Sequence, residues 1–183
     1  DWYGWTGADP VVGNITQNMV ERGEACGLSF WLEATAEIGR KPAGPGSEQL
    51  PDGIGTLDYE AMRAYLRSIR AYLYTGTRPA SYTLGLIEAM MTGTPVVSIG
   101  PEHMTIFPYG PHLFEGHEIV SAIDGNGWHW KPWSDDPIDA RNKVSELLSS
   151  KSYAAEQSRV QRDRAIELFG MAEIGRQWQA FLG

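Results

Sequence analysis

Residues 71–100 read AYLYTGTRPASYTLGLIEAMMTGTPVVSIG, and this stretch decides the fold. Tyr72, Leu73 and Tyr74 open it as a short aromatic and apolar run, the pattern of a buried strand. A Thr-Gly-Thr-Arg-Pro loop follows. From Tyr82 to Thr92 the chain carries Leu84, Leu86, Ile87, Ala89, Met90 and Met91, apolar nearly all round, which predicts a buried helix. Gly93 suits the left-handed residue that closes such a helix, and Pro95 prevents its continuation. Residues 95–99 form a second buried strand. Strand, helix and strand within about 30 residues make one right-handed parallel crossover.

Glu88 is the only formal charge between Arg78 and Glu102. It falls on a helix face expected to be buried, where an unpaired carboxylate is costly. Two readings stay open on physical grounds: the side chain lies at the helix edge and meets water or a backbone amide, or it contacts a ligand.

Leu86-Ile87-Glu88-Ala89-Met90 followed by Gly93-Thr94-Pro95-Val96-Val97 closely resembles the donor-binding signature of retaining glycosyltransferases of the GT-B fold. The resemblance implies that Glu88 binds the ribose hydroxyls of a nucleoside diphosphate sugar. It also implies that the turn Ser81-Tyr82-Thr83-Leu84 offers backbone amides to the diphosphate and the sugar, a use that suits a helix N-terminus. In that family an acid stands eight positions before the helix glutamate and faces the donor sugar; here the position holds Ala80. The family clamps the diphosphate with two cations. By the same resemblance Arg22-Gly23 keeps one of them, while Asn14 replaces the other with a neutral amide. An ordinary solvated arginine between Glu21 and Glu24 is the alternative for Arg22. The glycine-rich exit of a second strand over residues 38–46, with Gly44 and Gly46, matches the place where the family binds the base; glycines there permit close approach of a ligand. A surface loop is the alternative.

The chain has 183 residues, enough for one domain with a real core, and its 42% hydrophobic and 21% charged residues are those of a globular protein. A net charge of −8 leaves no basic stripe for nucleic acid. Cys26 is the only cysteine, which excludes an internal disulfide and fits a reducing, cytoplasmic setting. No apolar run is long enough for a membrane span. His112, Glu115 and His117 match none of the zinc-helix spacings, and no metal or other cofactor is expected.

Along the rest of the chain, residues 10–15 read as a first strand, and 16–37 as a helix that Gly23 and Gly27 weaken or split. Residues 57–70 carry one apolar stripe and predict a helix. His117 to Val120 and the Asp124-Gly125-Asn126-Gly127 turn resemble a second family element. Trp128, Trp130 and Trp133 suit a last packed strand better than a sugar platform. Asp135-Asp136-Pro137 starts a helix, with further amphipathic helices over 152–168 and 172–182. The expected architecture is an α/β, Rossmann-like, doubly wound parallel sheet in a single domain over residues 1–183, matching one half of a GT-B enzyme. The half that would carry the acceptor site has no room here, so the resemblance implies an N-terminal domain or partner chain, and catalytic residues are not assigned. Other readings of the same fold are an inactive nucleotide-binding or interaction module and a nucleotide-sugar epimerase.

Overall fold

The computed structural model describes residues 3–77, 84–100 and 131–183. Five strands form one sheet: β1 (Asp9–Ile15), β2 (Arg40–Ala43), β3 (Ile69–Tyr74), β4 (Val96–Ile99) and β5 (Trp133–Ser134). Their order is β2-β1-β3-β4-β5, and every neighbouring pair is parallel. The chain leaves β1 for β2 on one side and then crosses to β3 on the other. The strand order therefore reverses beside β1, which places a crevice at the carboxyl ends of β1 and β3.

Helices cover both faces. On one lie α1 (Met19–Arg22), a 3-10 turn (Gly23–Cys26), α2 (Leu28–Ala34) and α5 (Pro137–Ser149). Phe30, Trp31, Leu73, Val97, Val144 and Leu147 make their core. On the other face α3 (Tyr59–Ser68) and α4 (Leu84–Thr92) bury Leu66, Tyr72, Leu86, Met90 and Val96. The strands are apolar on both sides because both sides are covered. The crossover from β3 through α4 to β4 stands at the centre of the sheet, as residues 71–100 predict.

Helix α6 (Lys151–Phe169) passes from one core to the other, contributing Ala154 to the first and Ala165 to the second. It crosses at the amino ends of the strands. There the buried Gln161 accepts from the Val96 N–H at 2.6 Å and donates to its carbonyl at 2.9 Å. The last helix, α7 (Met171–Leu182), buries none of its residues. No helix among the described residues is long and apolar enough to cross a membrane.

The helix expected over 16–37 is split at Gly23 and Gly27, as the sequence reading allows, because φ angles of 55° and 66° fit no continuous helix. The helix over 57–70 ends at Ser68, and Ile69 and Arg70 already belong to β3. Ile69 continues the apolar stripe of α3, so hydrophobic spacing alone hides the change. Of the expected last strand, Trp133–Ser134 is described; Trp128 and Trp130, like residues 101–127 with their histidines, lie outside the described residues.

The start of α5 is as the Asp-Pro signal predicts: the Asp136 side chain accepts from the Ile138 N–H at 2.8 Å, with Pro137 in the first turn. Asp136→Ala is expected to cost about 1 kcal/mol, read as a lower urea midpoint with an unchanged slope.

Candidate functional site

Two tyrosines fasten the carboxyl end of β1. The Tyr65 hydroxyl, reaching up from α3, accepts from the Asn14 N–H at 3.1 Å and donates to the Lys41 carbonyl at 2.6 Å, so it bridges β1 and β2. The Tyr72 hydroxyl accepts from the Ile15 N–H at 3.1 Å on the β3 side. Burial pushes both phenols well above their ordinary values, so both remain neutral at physiological pH. Gly13 makes room: a Cβ there would stand 2.1 Å from the Tyr65 hydroxyl. Sequence reading treats Tyr65 and Tyr72 as plain core; a hydroxyl within an apolar run is the only local sign of more.

The amino end of α4 lies against this edge. A Cβ at Gly85 would be 3.3 Å from the Tyr72 hydroxyl and 3.9 Å from the Ile15 carbonyl. Leu84, the first residue of the helix, is 59% exposed. Ser81, Tyr82, Thr83 and Ala80 lie outside the described residues.

Glu88 is one turn further along α4. It is half-buried, and among the described residues its carboxylate makes no hydrogen bond and no ion pair. Desolvation raises its pKa above the usual glutamate value, with no partner among the described residues to offset it. Its charge also reaches the Tyr72 phenol, raising that group further. A half-desolvated carboxylate left unpaired is an acceptor waiting for donors.

The remaining candidates divide. Gly44 and Gly46 leave β2 with φ of 107° and 80°, and Cβ atoms there would stand 2.9 Å from the Thr16 carbonyl and 2.9 Å from Asn18 Oδ1. They join the exits of β2 and β1 at the carboxyl edge of the sheet, the edge that α4 also meets. Arg22 is exposed at the end of α1, and next to it Gly23 has open space where a side chain would go. Asn14 belongs to the sheet instead. It is buried, its Nδ2 donates to the Leu73 carbonyl at 2.7 Å, and its Oδ1 accepts from the Thr16 hydroxyl. Thr75, just past β3, is fully buried, and its hydroxyl has no partner among the described residues.

These features define an open, doubly wound parallel sheet, with an acid unpaired among the described residues on the helix that meets its switch point. No protein-family model and no curated protein matches the sequence. Solved structures do match. TarM superposes with a TM-score of 0.66 at 16% identity, over 98% of this chain and 37% of TarM. HepE of Anabaena, solved with UDP and glucose, gives 0.65 at 15%, over 96% of this chain and 48% of HepE. The catalytic domain of the cholesterol-alpha-glucosyltransferase of Helicobacter pylori gives 0.59 at 11%, over 86% and 98%. The chain therefore has the fold of these GT-B glycosyltransferase domains. It spans less than half the length of TarM and HepE.

Proposed function

We propose that this chain is the donor-binding half of a glycosyltransferase and holds a nucleoside diphosphate sugar at the carboxyl edge of the sheet. The observation that carries the reading is Glu88: a half-buried carboxylate, without a partner among the described residues, on the helix that abuts the switch point. A ribose presents two vicinal hydroxyls, and a single carboxylate accepts from both. Gly44 and Gly46 would flank the base. Arg22, beside the open space at Gly23, would meet the diphosphate together with the amides of Ser81, Tyr82, Thr83 and Leu84. Asn14 takes no part, since its amide is used within the sheet. HepE was solved with UDP, and so was a TarM variant of S. aureus, which makes UDP the first nucleotide to test.

The apolar stripe of α7, with Trp178 59% and Phe181 80% exposed, supports a second domain or partner chain against this half. Without that half, and with Ala80 where the family has an acid, the chain alone is expected to bind nucleotide without transferring sugar. Calorimetry with UDP, GDP and ADP tests the reading: one of the three should bind clearly more tightly than the others. Failure of all three to bind overturns it.

A further inference from the structure

Independently of the nucleotide reading, we propose a second ligand site at the opposite, amino-terminal edge of the sheet, built to hold a saccharide ring. A cleft of about 330 Å³ lies there between the N-terminal segment and α6. Its size falls at the small end of ligand sites, which run to roughly 1,000 Å³. One stripe of α6 supplies Ser158, Arg159, Arg162 and Asp163, and Tyr3 and Trp5 face them.

The walls are fixed. The Trp5 indole N–H donates to the Ile69 carbonyl at 2.8 Å, which locks the ring. The Arg162 guanidinium lies 4.1 Å from the centre of the Tyr3 ring and donates through Nε to the Met91 carbonyl at 3.3 Å. Gly93, with φ of 94°, lies beside Ser158 and Trp5; a Cβ there would come within 3.0 Å of the Ser158 hydroxyl.

The rest of the lining is polar and mixed in character. The Ser158 hydroxyl bonds to no described residue although the residue is 7% exposed. Arg159 and Asp163 meet only loosely, at 3.4 Å, with both side chains largely in solvent. A purely apolar ligand would desolvate the Arg159–Asp163 pair and leave the Ser158 hydroxyl without a partner, which is costly. A simple anion would face the Asp163 carboxylate. A sugar ring satisfies the whole set. Its C–H faces pack on Tyr3 and Trp5, and its adjacent hydroxyls, each donor and acceptor, meet the guanidinium of Arg159, the carboxylate of Asp163 and the hydroxyl of Ser158.

The test is a titration of the ¹⁵N-labelled chain with glucose, N-acetylglucosamine and glucuronic acid at millimolar concentration, repeated in saturating UDP. At least one sugar should shift the Trp5 indole N–H and the Ser158 and Arg159 amides saturably, and UDP should leave that titration unchanged. Arg159→Ala, on an exposed side chain, should weaken it about tenfold, the worth of one charge-assisted hydrogen bond. Ser158→Ala should weaken it several-fold. No saturable shift with any of the three sugars, or equal affinity in both variants, overturns the proposal. So does displacement by UDP, which would place the sugar in the donor site instead.

Discussion

Glu88→Gln is expected to weaken binding of the preferred nucleoside diphosphate by about 1–3 kcal/mol, roughly 5- to 150-fold, without lowering the melting temperature. Glutamine keeps the size of the side chain and one carbonyl acceptor. It loses the charge, and with it the two charge-assisted bonds that a ribose diol makes to a carboxylate. The stability side follows from the raised pKa. The unfolded chain holds Glu88 at its ordinary value, so between that value and the raised folded one the native state binds more protons. Stability therefore falls as pH rises through that window. At neutral pH the ionised carboxylate is a burden on the fold, and the amide relieves it.

The same shift sets a pH signature. Binding by the wild-type chain should weaken as pH falls through the raised pKa of Glu88, because a protonated carboxyl accepts poorly from two hydroxyls. The Gln variant should be flat across that range. Calorimetry at a series of pH values, beside thermal melts, separates the alternatives. Equal affinity in the two forms would return Glu88 to the edge-of-helix reading. A variant that melts well below the wild type would mark the carboxylate as structural.

The sequence carries the central crossover and Glu88 plainly, because both are local. An unbroken apolar run with one charge in it predicts a buried helix with one exceptional residue, and that residue has no partner among the described residues, on the helix that meets the switch point. The supports of the site are another matter, since they join residues far apart in the chain. Tyr65 and Asn14 are 51 positions apart, and Tyr72 and Ile15 are 57. No periodicity reports such pairs. Asn14, the neutral amide where the family has a cation, is hydrogen-bonded to Leu73 and Thr16 inside the sheet, a use that no local pattern announces. Gly44 and Gly46 read as room for a ligand, yet contact with Thr16 and Asn18 alone already requires glycine. The crossing from α3 to β3 is hidden for a different reason. Ile69 satisfies the helical stripe and the buried strand equally, and Ser68, whose hydroxyl bonds back to the Tyr65 carbonyl, gives no strong stop.

Gly13→Ala is expected to be among the most damaging small substitutions in the chain, at about 1–3 kcal/mol or more. The backbone angle is not the reason, since Gly13 adopts no positive φ. A methyl group would stand 2.1 Å from the Tyr65 hydroxyl and 2.5 Å from Ile69 Cδ1. The isoleucine can turn away, but the phenol is held between the Asn14 N–H and the Lys41 carbonyl and is buried. Either the methyl group distorts β1, or Tyr65 withdraws and strips two buried backbone groups of their partner. Both outcomes disturb the strand end that α4 packs against, so nucleotide affinity should fall along with stability. Tyr65→Phe removes the hydroxyl and should itself be destabilising. In the double variant the worst clash is gone, so the two losses should sum to less than their separate values, by at least about 0.5 kcal/mol. Urea unfolding of the four proteins of this cycle gives the coupling directly. Strict additivity would mean that Gly13 matters for some reason other than admitting the Tyr65 bridge.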